Sequence, residues 1–227
     1  MRRFHFFLLV FTCAKLVCAQ AVYPEPGPTA WSEPENLRYT IDRLMRYHDG
    51  GEYDRDIRLV TSSAREYLFQ RVRQQSHHER LAAVFDIDET ALSNWEMLAD
   101  CGFCSYRAQT RFYPRPSHDP PIVPVRDLFD FAKQQAVAVF FVTGRTEDQR
   151  GITIANLNCA GYKNWNGLLM QRPDNRESAA VFKRRARRQI ELMGFTIVLN
   201  IGDQASDLVG CCAERVFKLP NPFYLIE

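Results

Sequence analysis

The 227-residue chain has no surplus of either charge, no apolar run long enough to cross a bilayer and no internal repeat. Three of its 29 lysines and arginines, Arg2, Arg3 and Lys15, precede residue 20 with no acidic residue among them, so the remainder carries one more acid than it has bases. A surface so balanced has no overall attraction to nucleic acid or anionic membrane, and partners must be sought in local sites. The apolar stretch from Phe6 to Phe11 falls far short of the roughly 20 residues that a spanning helix needs, and Lys15 interrupts its continuation. No second Cys-x-x-Cys and no His-x-x-x-His accompanies Cys101-Gly102-Phe103-Cys104, which disfavours a structural zinc site.

What is present is the mixture of a folded globular chain: 46% hydrophobic, 12% aromatic and 25% charged residues, with length enough for one to two domains. Residues 1–19 have the form of an export signal, with Arg2 and Arg3, the short apolar run, and Val17-Cys18-Ala19 at the cleavage-type positions. Cleavage is expected after Ala19, which gives a secreted or periplasmic protein without stable membrane insertion. Loss of Cys13 and Cys18 leaves Cys101, Cys104, Cys159, Cys211 and Cys212, an odd set with at least one free thiol or an intermolecular bond. In an oxidising compartment Cys101 and Cys104 can close a small loop. Residues 20–32, with Pro24, Pro26, Gly27 and Pro28, read as an extended lead-in.

Ser32 and Glu35 have the spacing of a capping box with Pro34 in the first turn, and Leu37, Ile41, Leu44 and Met45 then recur at helical spacing until Gly50-Gly51. Ile57, Val60, Ala64, Tyr67, Leu68 and Val72 repeat the pattern, so residues 33–75 read as a helical pair that covers something. At Leu81-Ala82-Ala83-Val84-Phe85 the pattern changes to the continuous apolar run of a buried parallel strand. Val137 to Val142, Leu168 to Met170 and Phe195 to Ile201 are further strand candidates, alternating with helical patterns at 124–136, 146–160 and 176–193. The alternation predicts an α/β fold, a parallel sheet with helices on both faces. Residues 93–121, with Pro114, Pro116, Pro120 and Pro121, fit neither period and read as an insertion near the site.

In open parallel sheets ligands bind at the carboxyl ends of the strands, and the polar residues here fall at those ends. Asp86-Ile87-Asp88-Glu89-Thr90 follows the first strand and Thr143-Gly144-Arg145 the second; Lys183 lies in the later helix, and Gly202-Asp203-Gln204-Ala205-Ser206-Asp207 follows the last strand. Asp86 and Asp88, two apart in near-extended backbone, leave one face together while Ile87 enters the core. Asp203 and Asp207 are neighbours if a helix starts at once. Four converging carboxylates need compensation, and oxygen ligands without His or Cys select a hard cation, Mg²⁺ ahead of Ca²⁺ where few ligands are supplied and phosphate completes the shell. Lys183 adds one positive charge, and Thr143, the amides around Gly144 and Arg145 are candidate phosphate donors. Each piece alone has a plainer explanation: a turn for Asp-x-Asp, a cap for Gly-Asp-x-x-x-Asp, and a solvated basic face for Arg184, Arg185, Arg187 and Arg188. Their order along the chain is what raises them above it.

With these motifs the sequence resembles the haloacid dehalogenase (HAD) superfamily, and within it the class B/C-like acid phosphatases of subfamily III, close to the branch of plant vegetative storage proteins. Phe85-Asp86-Ile87-Asp88-Glu89-Thr90 is similar to the first motif and Phe141-Val142-Thr143-Gly144-Arg145 to the second. Lys183 matches the third, and Asn200-Ile201-Gly202-Asp203-Gln204-Ala205-Ser206-Asp207-Leu208 the fourth. The tail Arg215-Val216-Phe217-Lys218-Leu219-Pro220-Asn221-Pro222 also looks like the storage-protein branch. The resemblance covers roughly residues 33–227 and implies a Rossmann-like HAD domain, with a small helical cap from 33–76 and 93–121.

It implies that Asp86 is the nucleophile, that Asp88 is general acid and then base, and that Thr143 and Lys183 hold the phosphoryl oxygens. It also implies Mg²⁺ on Asp86, the backbone carbonyl of Asp88 and Asp203, with Asp207 acting directly or through water and Lys183. The substrate-binding set is then Thr143, Gly144, Lys183 and Trp95. Trp95, with Phe103, Tyr106 and Phe112, is either part of an aromatic lid for a nucleobase or aryl leaving group or a core residue. His77 and His78 read as surface. The expected function is a secreted, Mg²⁺-dependent acid phosphatase acting on small phosphomonoesters, 5′-nucleotidase-like action included. The alternative is a storage or binding protein that has kept the fold, and intact Asp86, Asp88, Thr143, Lys183, Asp203 and Asp207 argue for the enzyme. No nucleic-acid partner is expected, and the sequence leaves the oligomeric state open.

Overall fold

The computed structural model describes residues 34–104, 119–174 and 177–226. The expected signal 1–19, the lead-in 20–32, Tyr106 and Phe112 lie outside them. Residues from Asn36 onward belong to one compact unit. Its elements are α1 (Leu37–Asp49), α2 (Glu52–Arg73), β1 (Leu81–Phe85), α3 (Trp95–Asp100), α4 (Val123–Gln134), β2 (Ala138–Thr146), a 3-10 turn (Glu147–Gln149), α5 (Arg150–Cys159), β3 (Gly167–Gln171), α6 (Ala179–Leu192), β4 (Thr196–Gly202), α7 (Ala205–Leu208) and β5 (Arg215–Lys218).

The five strands are parallel in the order β3-β2-β1-β4-β5. Every residue of β1 is buried, and alternation sends the strand into two cores. Leu81, Ala83 and Phe85 join Ile57, Ala64 and Leu68 of α2 and Leu128 and Phe129 of α4. Ala82 and Val84 join Phe182, Ala186 and Ile190 of α6 on the opposite face. Phe85, Phe129 and Phe141 meet with ring centroids 6.0 to 6.2 Å apart, and burial of each such side chain contributes about 1.5–3 kcal/mol.

Three expectations are corrected. Helix α1 is capped by Asn36, whose side chain accepts from the Arg38 amide, while Pro34 and Glu35 precede the helix and Ser32 is outside the described residues; the Ser32–Glu35 box is therefore not its start. The 33–76 segment is not purely a cover over the site, because α2 packs on the sheet beside α4 and supplies core residues. Arg187 does not belong to a solvated basic face: it is 1% exposed, and it donates to the backbone carbonyls of Asp207, Val209 and Cys211. Its neighbours Arg184, Arg185 and Arg188 are exposed, as are His77 and His78.

Strand β5 was not expected, since only Phe217 of its four residues is buried and no apolar run marks it. Cys101 and Cys104 are paired, as are the adjacent Cys211 and Cys212, and among the described residues Cys159 is an exposed free thiol. Among the described residues no helix is long and apolar enough to cross a membrane.

Candidate active site

Strands β1 and β4 are neighbours at the middle of the sheet, and a cavity of about 370 Å³ opens where they end. Asp86, Asp88, Gly144, Lys183, Asp203 and Ser206 line it, with Gln171, Ser178 and Tyr224 among the remaining wall residues. After β1 the Asp86 amide still donates to the Ile201 carbonyl, at 3.0 Å, which extends the ladder one residue and fixes the first aspartate. The chain then turns: the amides of Thr90 and Leu92 both donate to the Ile87 carbonyl, and Glu89 takes φ +52°, a left-handed conformation costly for a side chain with a Cβ. Ile87 is fully buried, so the aspartates on either side of it are directed at the cavity.

At the last residue of β4, Gly202 meets Asp207 so closely that a Cβ on residue 202 would stand 2.4 Å from Asp207 Oδ2. The Gln204 amide donates to that same oxygen at 2.8 Å, and Asn200 and Arg187 hold the Asp207 backbone carbonyl. Asp203 accepts from Thr90 at 3.1 Å, Gln204 at 2.7 Å and Asn221 at 2.6 Å. Asp86, Asp203 and Asp207 are all buried, each with an oxygen within 4.8 Å of the others'. Lys183, from α6, reaches across the sheet end to Asp86 Oδ1 at 2.5 Å and also contacts Asp207.

Burial raises the pKa of Asp86; Lys183 opposes this, while Asp207, Asp203 and Asp88 reinforce it, and the net direction is well upward. Asp203 is likewise raised, by burial and then by Asp207. Burial pulls Lys183 down, but Asp207 and Asp86 overrule it and the ammonium is held. Three buried carboxylates against one ammonium form an electrostatically incomplete group, and an all-oxygen donor set of this size suits a hard divalent cation. Ser206 Oγ is buried without a hydrogen-bond partner, the one such side-chain atom among the described residues, and Ser206 lines the same cavity. A polar group left open there suits a polar ligand.

The sequence-predicted residues therefore divide. Asp86, Lys183, Asp203 and Asp207 come together, and Asp88 and Gly144 line the same cavity. Thr143 is fully buried, its hydroxyl accepting from the Arg145 amide at 3.1 Å. The Asp88 carboxylate is not in the three-carboxylate group: Arg145 and Asn94 hold it. Arg145 is corrected as a phosphate donor, because its side chain has no exposed surface and is spent on Asp88 and Asp119. Trp95 is not among the residues that line the cavity: its ring stacks on His48, with centroids 3.5 Å apart, and meets Phe103 and Phe223.

Sequence reasoning missed Glu89, Asn94, Asp119 and Asn221. Glu89 accepts from the Tyr53 hydroxyl at 2.9 Å and from the Asn94 amide, and burial pushes its carboxyl up to about 8. No spacing rule could have found the Tyr53–Glu89 or Asp119–Asn156 contacts, whose partners are 36 and 37 residues apart.

The wider likeness agrees with this geometry. Acid phosphatase 1 of Solanum lycopersicum is 32% identical over 195 residues, covering 82% of this chain and 74% of that protein. Vegetative storage protein 1 of Arabidopsis thaliana is 28% identical over 198 residues, covering 85% and 72%. The class C acid phosphatase of Bacillus anthracis shares the fold, with a TM-score of 0.67, 21% identity, and coverage of 82% of this chain and 86% of that one. Residues 30–227 match the family described as HAD superfamily, subfamily IIIB (acid phosphatase), and the chain belongs to that family of phosphomonoesterases.

Proposed function

We propose that this protein is an exported, Mg²⁺-dependent acid phosphatase that hydrolyses small phosphomonoesters through an aspartyl phosphate on Asp86. The observation that carries the reading is the buried group of Asp86, Asp203 and Asp207, with Lys183 set among them at the cavity. Asp86 attacks phosphorus, the bond to the leaving oxygen breaks, and Asp88 gives that oxygen its proton. Water then attacks the acyl phosphate, Asp88 takes a proton from it, and phosphate leaves with Asp86 restored. Thr143, the Gly144 amide and Lys183 would hold the phosphoryl oxygens, and Asp86, the Asp88 carbonyl and Asp203, with Asp207 directly or through water, would hold the cation. Mg²⁺ bound there would neutralise the carboxylates and the charge on the transferring group.

Export is supported by the form of residues 1–19 and by the pairing of Cys101 with Cys104, which suits an oxidising compartment. The near-neutral charge beyond residue 19 supports a small-molecule substrate rather than nucleic acid.

The test is phosphate release from an aryl phosphate and a nucleoside monophosphate, from acid to neutral pH, with Mg²⁺ and with chelator. Release that chelator abolishes and Mg²⁺ restores is expected. Absence of release from a folded chain would favour the storage reading instead.

A further inference from the structure

Behind the cavity runs a buried ionic chain that the reaction as written does not use. Arg145 Nη2 donates to Asp88 Oδ1 at 2.7 Å, while Nε stands 3.2 Å from Oδ1 and 3.1 Å from Oδ2. Asn94 Nδ2 donates to the same Oδ1 at 3.1 Å. On its far side Nη2 is 3.6 Å from Asp119 Oδ2, and Nη1 reaches Thr153 Oγ1 at 3.4 Å. Asp119 is fixed in turn by Asn156, which accepts from its amide at 2.6 Å and donates to its Oδ2 at 2.5 Å. Thr153 and Asn156 lie three apart on α5, so one face of that helix braces both arginine and aspartate.

A guanidinium with no exposed surface carries a desolvation cost that an apolar side chain would not. What it supplies is geometry. A planar fork laid side-on against a carboxylate fixes the plane of that carboxylate, which a lysine ammonium cannot do. A general acid has to reach the leaving oxygen within hydrogen-bond distance, and a freely rotating one spends little time there.

We propose that Arg145, braced by Asp119, Thr153 and Asn156, is a positioning residue that orients the Asp88 carboxylate for proton delivery to the leaving group. The inference rests on the reading of Asp88 as general acid. Loss of orientation then matters in proportion to the basicity of the leaving oxygen: an alkyl alkoxide needs the proton as it departs, and a nitrophenolate scarcely does.

The experiment measures kcat/KM for p-nitrophenyl phosphate and glycerol phosphate on the full mature chain with saturating Mg²⁺. Asp88→Asn should lower the alkyl substrate far more than the nitrophenyl one, by the roughly 100-fold or more typical of a lost general acid. Arg145→Met should show the same bias, about 100-fold on glycerol phosphate and under about tenfold on the nitrophenyl ester. Arg145→Lys should recover only part of the difference. Asp119→Asn, which leaves the arginine in place, should give a smaller bias of the same sign and decides the matter if Arg145→Met does not fold. Equal losses on both substrates in the Arg145 and Asp119 variants, with the bias intact in Asp88→Asn, would overturn the positioning role. No bias in Asp88→Asn itself would overturn the general-acid reading, and this inference with it.

Discussion

The side-chain amide of Asn221 donates to Asp203 Oδ2 at 2.6 Å, so a segment beyond the last strand orients a carboxylate at the end of the strand before it. Gln204 supports the same arrangement, donating to Asp203 Oδ2 and the Tyr224 carbonyl and accepting from the Ile226 amide. The segment after β5 is thus a partner of the segment that carries Asp203. Phe223 anchors it, packing against Tyr53, Trp95 and Phe103.

Partners that orient a ligand tune affinity more than chemistry. Asn221→Ala should weaken Mg²⁺ activation by about 10- to 100-fold while maximal turnover at saturating metal stays near the original value. Titration of activity against Mg²⁺ reads both quantities. An unchanged activation constant would show that the amide does not orient the ligand.

In the proposed mechanism Asp86 is the nucleophile, with one oxygen on Lys183, while Asp88, Asp203 and Asp207 are each held by two or more donors. Asp86→Asn should abolish turnover while substrate still binds in the presence of Mg²⁺. Calorimetry on the variant separates the two effects, and turnover close to that of the original chain would remove the aspartyl-phosphate mechanism.

Gly202 is required by space. A Cβ there would meet Asp207 Oδ2, Cβ and Cγ at 2.4 to 2.7 Å, and Asp207 cannot retreat without losing the Gln204 amide and the Lys183 ammonium. Gly202→Ala should therefore cost at least about tenfold in kcat, since one misplaced group of this kind can cost 100-fold. Kinetics alongside a melting curve would show whether the loss is local; activity equal to the original would mean that the loop absorbs the methyl group.

How much of this was readable from sequence depended on whether burial left a local pattern. Strands β1 to β4 are apolar runs, and three of the four motif positions follow from asking what stands where those runs end. Strand β5 was illegible because an edge strand with only Phe217 buried has no run to show. In the sequence Arg145 reads as a phosphate donor and Arg187 as part of a solvated face, because what buries each is a set of acceptors distant along the chain: Asp88, 57 residues from Arg145, and the carbonyls of Asp207, Val209 and Cys211, 20 to 24 residues from Arg187. Trp95 was ambiguous for the same reason, since His48, Phe103 and Phe223, which enclose it, come from three separate segments.

Arg187 yields a stability prediction of its own. It donates to the carbonyls of Asp207 in α7 and of Val209 and Cys211 beyond it, and these would lose a buried donor together. Asn200 still holds the Asp207 carbonyl, and Val209 and Cys211 are exposed residues, so Arg187→Met should destabilise the fold by about 3 kcal/mol, the upper end of the range for hydrogen bonds to a charged group. In a chain of this size that corresponds to a fall of roughly 6–12 °C in Tm. A melting temperature within a degree or two of the original would show that water replaces the guanidinium.

Glu89 links stability to pH, and the sign follows from the direction of its shift. Burial raises its carboxyl from 4.5 to about 8, against hydrogen bonds from the Asn94 amide and the Tyr53 hydroxyl. Below about 4.5 the folded and unfolded chains both hold the proton, and the stabilisation is fully present. Between 4.5 and about 8 only the folded chain holds it, so stability falls as pH rises, by up to about 1.4 kcal/mol per pH unit. Above that range the contribution is lost. Glu89→Gln keeps the shape and removes the titration, since the amide oxygen accepts one donor and the Tyr53 hydroxyl can turn to accept from the amide nitrogen. Urea unfolding of both proteins in chelator, from pH 5 to 8, isolates this residue from Asp86 and Asp203, whose own shifts appear in both. The original chain should lose stability relative to Glu89→Gln steadily across that range, and a difference that stays flat would show that Glu89 is charged in the fold throughout.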